Sequence, residues 1–428
     1  MKRMIWLALA GLSGCAAYHA APLPDIAPVA APLPTTRPLT LMYVAGLAAQ
    51  RDPDLVAARA QSGIAQAELL AAGTPPNPSL SVGFAALLGG PASMSAIAGS
   101  LVEDVSPLIT RSADESAARA RLQQVNAGIL WQEWQVAARA EQLCVALTGD
   151  DAQLASLRTD VQALTALAEK VRAQTAAGHL TQQDASTAET ALAKLQAALD
   201  AGEQAQAQDQ SQLDALLALP PGTAVALVPP DVTAIPGTKV NQAIATLAMR
   251  RPDLLALRFG YTQADEKLRA AIASQFLPIS LGTQGGRDTS GVITAGPLVT
   301  LSLPLFNRNQ PAIKTAEATR AALRAEYEAS LADAQNGAEA LRHTITLLQA
   351  QSAQADQAAA QAATIAADAR KAFSSGGLDA RGETDLIIAA GERQRDALQL
   401  HTALQTAELS LAALLGFGLP PMAPPKQN

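Results

Sequence analysis

Apolar positions along the chain follow two periods, and the longest runs have the period of a helix. Between residues 108 and 175, apolar side chains recur at steps of three and four, and no proline interrupts them. The clearest run consists of Leu154, Leu157, Val161, Leu164 and Leu167. This spacing places the side chains on one helix face and predicts a rod of roughly 100 Å. A second rod is predicted from 181 to 219.

Four shorter segments alternate between apolar and small residues, and this period of two predicts strands. In the first, "SLSVGF" places Leu80, Val82 and Phe84 on one side, with serine and glycine on the other. The predicted strands cover 77–88, 95–106, 278–288 and 291–304.

The two halves of the chain repeat the same order of elements. "RDPDLVAAR" at 51–59 returns as "RRPDLLALR" at 250–258, an offset of 199, and Gly178 returns as Gly377 at the same offset. A period of this length indicates a duplicated domain, predicted as helix, strand, strand, long helix, turn and long helix. The predicted division is 39–219 for the first repeat, 220–238 for a linker, 239–419 for the second repeat and 420–428 for a C-terminal tail.

The N-terminus resembles a bacterial lipoprotein signal. Lys2 and Arg3 precede a short apolar run, which "LSGC" ends at Cys15. A run of this length is too short to span a bilayer. The resemblance implies that residues 1–14 are a signal peptide and that Cys15 is acylated, and the prolines of 15–38 predict an extended tether. An ordinary secretory signal is the alternative.

Four strands in one chain leave unpaired edges. They cannot close a barrel, for which about eight are needed, and open edges are not tolerated inside a bilayer. Three copies would supply twelve strands, an even number within the range of outer-membrane barrels. We therefore predict a homotrimer that shares one barrel in the outer-membrane lipid. Four buried strands of a soluble domain are the alternative.

Composition and motifs argue against several functional classes. The net charge is −7 and no basic stripe occurs, which argues against nucleic acid as a partner. The four histidines are scattered, and neither a zinc motif nor a nucleophile motif is found, so we predict no enzyme, no cofactor and no metal site. A structural coiled-coil lipoprotein would explain the long helices but leave the alternating strand pairs unexplained.

Several segments resemble the TolC-type outer membrane efflux proteins. The resemblance rests on "NPSLSVGF", "RPDLLALR", "LSLPLFNRNQPAIKTAEATR" and the two glycine-containing helix breaks, and it covers residues 39–419. It implies a mainly α fold with a β-barrel part: a trimeric twelve-stranded barrel continued by a long periplasmic helical barrel. It also implies a passive exit duct in the outer membrane, served by a periplasmic adaptor protein and an inner-membrane pump.

The segment "PLFNRNQ" resembles the CzcC-like heavy-metal branch, which resistance–nodulation–division pumps serve. This resemblance implies heavy-metal cations as cargo, and the alternatives are drug or organic-compound efflux and a type I secretion duct. Whatever the cargo, Asn307 or Asn309 is predicted to cap the helix that begins near Pro311.

The helix breaks are predicted to form the periplasmic mouth, because glycine permits a tight reversal between antiparallel helices. The resemblance implies that Gly178, Leu180, Gly377 and Leu378 form the tips that contact the adaptor.

Acidic residues just after each break are candidates for a gate. The resemblance implies that Asp385 and Glu383 line a constriction and that Asp184 helps to tie the helices shut, with Arg381 as its candidate partner. A ring of carboxylates would attract cations and raise the pKa of its members. The alternative is that these residues are solvated helix starts, where acidic side chains suit the helix dipole.

Overall fold

The computed structural model describes residues 18–25, 38–90, 94–276 and 278–419. The predicted signal peptide, the predicted acylation of Cys15 and the predicted tail at 420–428 lie outside these residues, as does most of the predicted tether.

The first repeat contains four helices and two strands among the described residues. In chain order these are α1 (Leu41–Arg51), α2 (Pro53–Gly73), β1 (Ser79–Ala85), β2 (Ala96–Asp104), α3 (Ser106–Ala176) and α4 (Gln182–Leu216). Helix α3 has 71 residues, so it is about 100 Å long.

The second repeat has the same order, except that its first helix is divided in two. Its elements are α5 (Gly237–Ala245), α6 (Leu247–Arg250), α7 (Pro252–Ala273), β3 (Ile279–Arg287), β4 (Ile293–Leu301), α8 (Gln310–Ser374) and α9 (Ala380–Leu414). The predicted order of elements is therefore confirmed in both halves. Within the described ranges, no helix is both long and apolar enough to cross a bilayer.

The repeated "PDL" segments begin equivalent helices with different contacts. In the first repeat, the Asp52 carboxylate caps α2 by accepting a hydrogen bond of 2.9 Å from the Leu55 amide. In the second, Arg251 takes the cap position without a side-chain cap bond. Its guanidinium instead pairs with Asp253 at 2.6 Å and lies over the Trp131 ring. The same backbone turn is thus stabilised in two ways.

The four strands form one antiparallel sheet in the order β1-β2-β3-β4. The middle pair, β2 and β3, joins the two repeats, with Ser100 opposite Gln284. Strands β1 and β4 are the edges, and neither has a partner on its outer side within the described residues. The chain thus carries an open sheet whose two edges come from different repeats.

Cross-strand register gives the sheet an apolar face and a small-residue face. The apolar face carries large exposed side chains, namely Leu80, Val82, Phe84, Ile97, Leu101, Leu281, Ile293, Val299 and Leu301. The small-residue face carries mainly small or polar side chains, including Ser79, Ser81, Gly83, Ala98, Ser100, Gly282, Gln284, Gly286, Thr294, Gly296 and Thr300. A strand with two unlike faces suits a sheet with different surroundings on each side.

One core in each repeat lies where the short helices pack on the long ones. The first includes Val44, Leu143, Leu147, Leu213 and Leu217. The second includes Val240, Leu247, Leu254, Leu411 and Leu415. A further core joins the far ends of the long helices and includes Leu164, Leu167, Val171, Ala380 and Ile387. This last core holds the two helix hairpins together.

The predicted asparagine cap before Pro311 is wrong. Asn309 occupies the cap position of α8, but its φ of 62° is left-handed and its side chain makes no cap bond. Its side-chain Nδ2 instead donates to the Ala271 carbonyl at 2.8 Å. Its backbone amide donates to Asn307 Oδ1 at 2.9 Å. Asparagine tolerates this backbone region, so Asn309 turns the chain and ties it to α7.

Candidate functional site

The first helix tip is a glycine-terminated reversal between α3 and α4. The His179 amide donates to the Gln174 carbonyl at 2.9 Å, and the Gly178 amide donates to the Thr175 carbonyl at 3.0 Å. Gly178 has a φ of +78°, which glycine adopts without steric cost. This pair of bonds is a Schellman motif, which ends the helix and turns the chain back.

The second tip, between α8 and α9, repeats this geometry with an offset of 198. The Gly377 amide donates to the Ala372 carbonyl at 2.8 Å, and the Gly376 amide donates to Phe373 at 3.1 Å. The left-handed residue is Gly376, with a φ of +77°, and not the predicted Gly377. Gly377 is therefore the counterpart of His179.

The two outgoing helices begin with different caps. In α4, Thr181 and Asp184 form a reciprocal capping box, with the Thr181 amide donating to the Asp184 carboxylate at 3.0 Å. Hydrogen bonds to the Asp184 carboxylate from the Thr181 hydroxyl, at 2.6 Å, and from the Thr181 amide lower the pKa of Asp184. In α9, the Asp379 carboxylate accepts from the Gly382 amide at 2.7 Å. Asp184 thus has a capping role, and its counterpart in the second repeat is Gly382.

Glu383 has a different environment from the one expected of a pore-lining residue. Its counterpart at the 198 offset is the buried Ala185, and Glu383 itself is only 6% exposed. Among the residues that the structure describes, none makes a hydrogen bond to its Oε2 atom. Burial raises the pKa of Glu383, and the positive charges of Lys170 and Arg370 partly oppose that rise. The carboxyl group therefore lies within the core of the tip.

Arg381 and Asp385 lie on the exposed surface of the first turns of α9. Within the single chain, Arg381 Nε is 3.9 Å from Asp385 Oδ2. The described ion pairs of this chain do not include the predicted contact between Arg381 and Asp184. Leu180 packs against the core of the tips, and Leu378 is half-buried.

A buried ion pair between α3 and α9 was not found from the sequence. Arg395 Nη1 contacts Asp160 Oδ2 at 2.5 Å, and both side chains are largely buried. A Cβ atom on Gly391 would lie 2.0 Å from that same oxygen, so only glycine leaves room for the carboxylate. In the sequence, the only sign of this pair is that Gly391 precedes Arg395 by one helical turn. The sequence does not identify Asp160 as the partner, because it lies 235 residues away.

In α3, Oδ2 of Asp150 is a second buried carboxylate oxygen without a hydrogen-bond partner in the described part of the chain. Burial, followed by the negative charges of Asp209 and Asp151, raises the pKa of Asp150 to about 6. Over the described ranges, no group of three or more histidine, cysteine or acidic side chains is arranged to hold a metal ion.

No protein-family model and no curated protein matches the sequence. Solved structures do match. The structure of the outer-membrane channel OprN is 16% identical with a TM-score of 0.75, and covers 94% of this chain and 99% of that one. CusC is 18% identical with a TM-score of 0.72, over 88% of this chain and 92% of that one.

A third similar structure is VceC, an outer membrane protein from Vibrio cholerae. It is 19% identical with a TM-score of 0.73, over 88% of this chain and 96% of that one. The chain therefore has the fold of the TolC-type outer-membrane channels, which the sequence resemblance predicted.

Proposed function

We propose that this protein is the outer-membrane exit duct of a tripartite efflux system. The observation that carries the proposal is an open sheet with an exposed apolar face, followed in each repeat by a helix about 100 Å long. A sheet of this kind gains stability in lipid once its edges are paired, and the helices are long enough to extend far into the periplasm.

The unpaired sheet edges support self-assembly. Strand β2 of the first repeat pairs with β3 of the second inside the chain. The equivalent partner of β4 would be β1 of another copy, and this pairing would also be antiparallel. Joining copies in this way removes every edge, which a bilayer requires.

The helices show a similar unpaired surface: a contact that joins the two repeats inside the chain has no equivalent at the outer side of the first repeat, within the described residues. Leu255 of α7 is fully buried and, together with Phe259, packs against Ala127 of α3. Its counterpart in the first repeat is Val56 of α2, which is 57% exposed. By symmetry, Val56 would pack against α8 of a neighbouring copy. The surface around Val56 is thus exposed in one chain and is available to a neighbouring copy.

Barrel size favours three copies over two. Two copies would supply eight strands, and a barrel of eight has an interior that side chains just fill. Three copies would supply twelve strands and leave room for a lumen. The small-residue face suits the wall of such a lumen, because it borders a concave groove of about 630 Å³. The apolar face then meets lipid.

Two measurements on purified protein test this proposal together. Native mass spectrometry in detergent should give a trimer, and planar-bilayer recording should give ion conductance. A non-conducting monomer with an intact fold would contradict the proposal and favour a structural coiled-coil lipoprotein.

We further propose that Cys15 is acylated and anchors the chain, and that the two helix tips dock onto a periplasmic adaptor served by an inner-membrane pump. The first part rests on "LSGC" and is checked by mass spectrometry of the N-terminal peptide. The second rests on the matched geometry of the two tips. It is checked by crosslinking from Leu180 and Leu378 to the adaptor in intact cells.

The proposed cargo is heavy-metal cations. The support is the resemblance of "PLFNRNQ" to the heavy-metal branch. A deletion strain should become sensitive to zinc, cobalt, cadmium or copper salts and remain as resistant as its parent to organic drugs. Sensitivity only to organic compounds would instead support drug efflux, and a lost secreted protein would support a type I secretion duct.

We propose that Asp184, Arg381 and Asp385 contribute to the gate at the tips of the trimer, and that Glu383 contributes through the tip core. Asp385→Asn should reduce cation preference in planar bilayers because it removes an exposed charge at the mouth. Asp184→Ala and Arg381→Ala should raise conductance if the two residues tie neighbouring copies together. Unchanged conductance and selectivity in all three variants would leave these residues as helix-start residues alone.

A further inference from the structure

The connector between β4 and α8, residues 302–309, exposes three large apolar side chains. Leu303 is 66% exposed, Leu305 is 72% exposed and Phe306 is 97% exposed. The equivalent connection in the first repeat is Val105 alone, because β2 ends at Asp104 and α3 begins at Ser106. The second repeat therefore adds an apolar segment, at the end of the sheet that faces the helices.

This segment continues the apolar face of the sheet. Val299 and Leu301 belong to that face, and Leu303 and Leu305 follow at the same spacing of two. Residue 302 also keeps the sheet pattern, since its amide donates to the Pro278 carbonyl at 3.1 Å. The exposed apolar surface is thus continuous from the strand into the connector.

The strands alone are short for an outer-membrane barrel. Strand β4 has nine residues, and no described strand is longer. At about 3.3 Å per residue and a tilt of roughly 40°, nine residues rise about 23 Å. The apolar band of such barrels is about 25 Å tall. A further apolar segment of about 2 Å would therefore complete the band.

A cation follows the apolar residues immediately. Arg308 is exposed, and no ion pair of its guanidinium occurs within the described part of the chain. Its backbone amide donates a hydrogen bond to Gln310 Oε1 at 2.8 Å, which leaves the guanidinium free to reach outward. Apolar side chains followed by an unpaired arginine are typical of segments that lie at a lipid headgroup boundary.

We propose that the connector forms the belt that seats the barrel in the periplasmic leaflet of the outer membrane. Leu303, Leu305 and Phe306 lie at the boundary between acyl chains and headgroups, and the Arg308 guanidinium binds phospholipid phosphates. This proposal rests on the proposed function, because it requires the sheet to lie in a bilayer.

The test uses a fluorescent label on single introduced cysteines in phospholipid vesicles. Burial raises the pKa of the Cys144 thiol to about 12, so Cys144 should not be labelled. Labelled Phe306→Cys should show blue-shifted emission, quenching by lipids with a nitroxide near the headgroup, and protection from aqueous iodide. Adding Arg308→Glu should reduce the lipid quenching in vesicles that contain anionic phospholipid.

Two matched positions separate this proposal from the proposed function. Val299→Cys on the apolar face should be quenched by lipid nitroxides, and Thr300→Cys on the small-residue face should be quenched by iodide. If both controls fail, the sheet is not in the bilayer and the proposed function is wrong. If both succeed while residue 306 is quenched by iodide, or is protected from both quenchers by a neighbouring copy, the belt alone is overturned.

Discussion

The first long helix of each pair, α3 or α8, occupies an equivalent place but buries different side chains. Helix α3 of the first pair buries large residues, including Leu143, Leu147, Leu154, Leu164 and Leu167. Helix α8 of the second pair buries only small ones: Ala334, Ala338, Ser352, Ala359, Ala366 and Ala369. One duplicated unit has therefore kept its geometry while its packing has diverged.

This difference separates two ways of holding antiparallel helices together. Leucine contributes about 1.5–3 kcal/mol per buried side chain, so the first pair is stabilised mainly by apolar burial. Alanine and serine bury little area but let the helix axes approach closely, because axis separation depends on the side chains at the contact. The first pair should therefore be sensitive to lost volume and the second to added volume.

Reciprocal volume changes should have the largest effect. Leu164→Ala removes a fully buried side chain and should cost about 2–5 kcal/mol, whereas Ala366→Leu should cost about 1–3 kcal/mol by overpacking. Circular dichroism during thermal unfolding in detergent measures both. A neutral Ala366→Leu would show that the second pair is loosely packed and would break the comparison.

The buried ion pair between the two helix pairs should come next. Asp160→Ala leaves the Arg395 guanidinium without its partner at a largely buried site, and should cost about 3 kcal/mol. Glu203→Ala is the matched control, because the Arg158–Glu203 pair is half-exposed and should contribute less than about 1 kcal/mol. Equal melting temperatures for the two variants would contradict a coupling role for Asp160.

The two buried carboxyl groups should give opposite salt effects. Each carboxyl group has a raised pKa in the folded state, so the folded protein binds more protons than the unfolded one. The free energy of unfolding therefore falls as pH rises from the unfolded-state pKa to the folded-state pKa. For Asp150 this interval ends at about pH 6. Asp150→Asn and Glu383→Gln should therefore raise the melting temperature at about pH 7.5 and leave it unchanged at about pH 3, below both intervals.

Salt distinguishes the two sites because their neighbours differ in sign. Asp150 lies near Asp209 and Asp151, so salt should reduce the stabilisation by Asp150→Asn. Glu383 lies near Lys170 and Arg370, so salt should increase the effect of Glu383→Gln. Identical salt responses of the two variants would mean that desolvation alone, and not the neighbouring charges, raises the pKa of both carboxyl groups.

Helix-start substitutions should have the smallest effect, confined to the tips. Thr181→Ala removes a reciprocal capping box and Asp379→Ala removes a single cap, and each should cost about 1 kcal/mol. Hydrogen exchange should accelerate at the Asp184 amide in the first variant and at the Gly382 amide in the second. Faster exchange along the whole of α4 or α9 would argue against a local effect.

The sequence predicted the elements well but misplaced the second tip by one residue. Element ends agree within a few residues, because the periods of two and of three to four persist over long runs. The offset is 199 at "PDL" but 198 at the tips, so the second repeat is one residue shorter between them. That single residue moves the left-handed position to Gly376 and makes Glu383 the counterpart of the buried Ala185.

The sequence by itself determined the duplicated order of helices and strands, because hydrophobic period and helix-ending glycines act over a few neighbouring residues. Only the tertiary structure decided which carboxylates are buried, which arginine pairs with Asp160, and that Asn309 reaches Ala271 instead of capping α8. Those outcomes depend on contacts between residues far apart in the chain. Side chains that meet only after the helices have packed leave no periodic signal in the sequence.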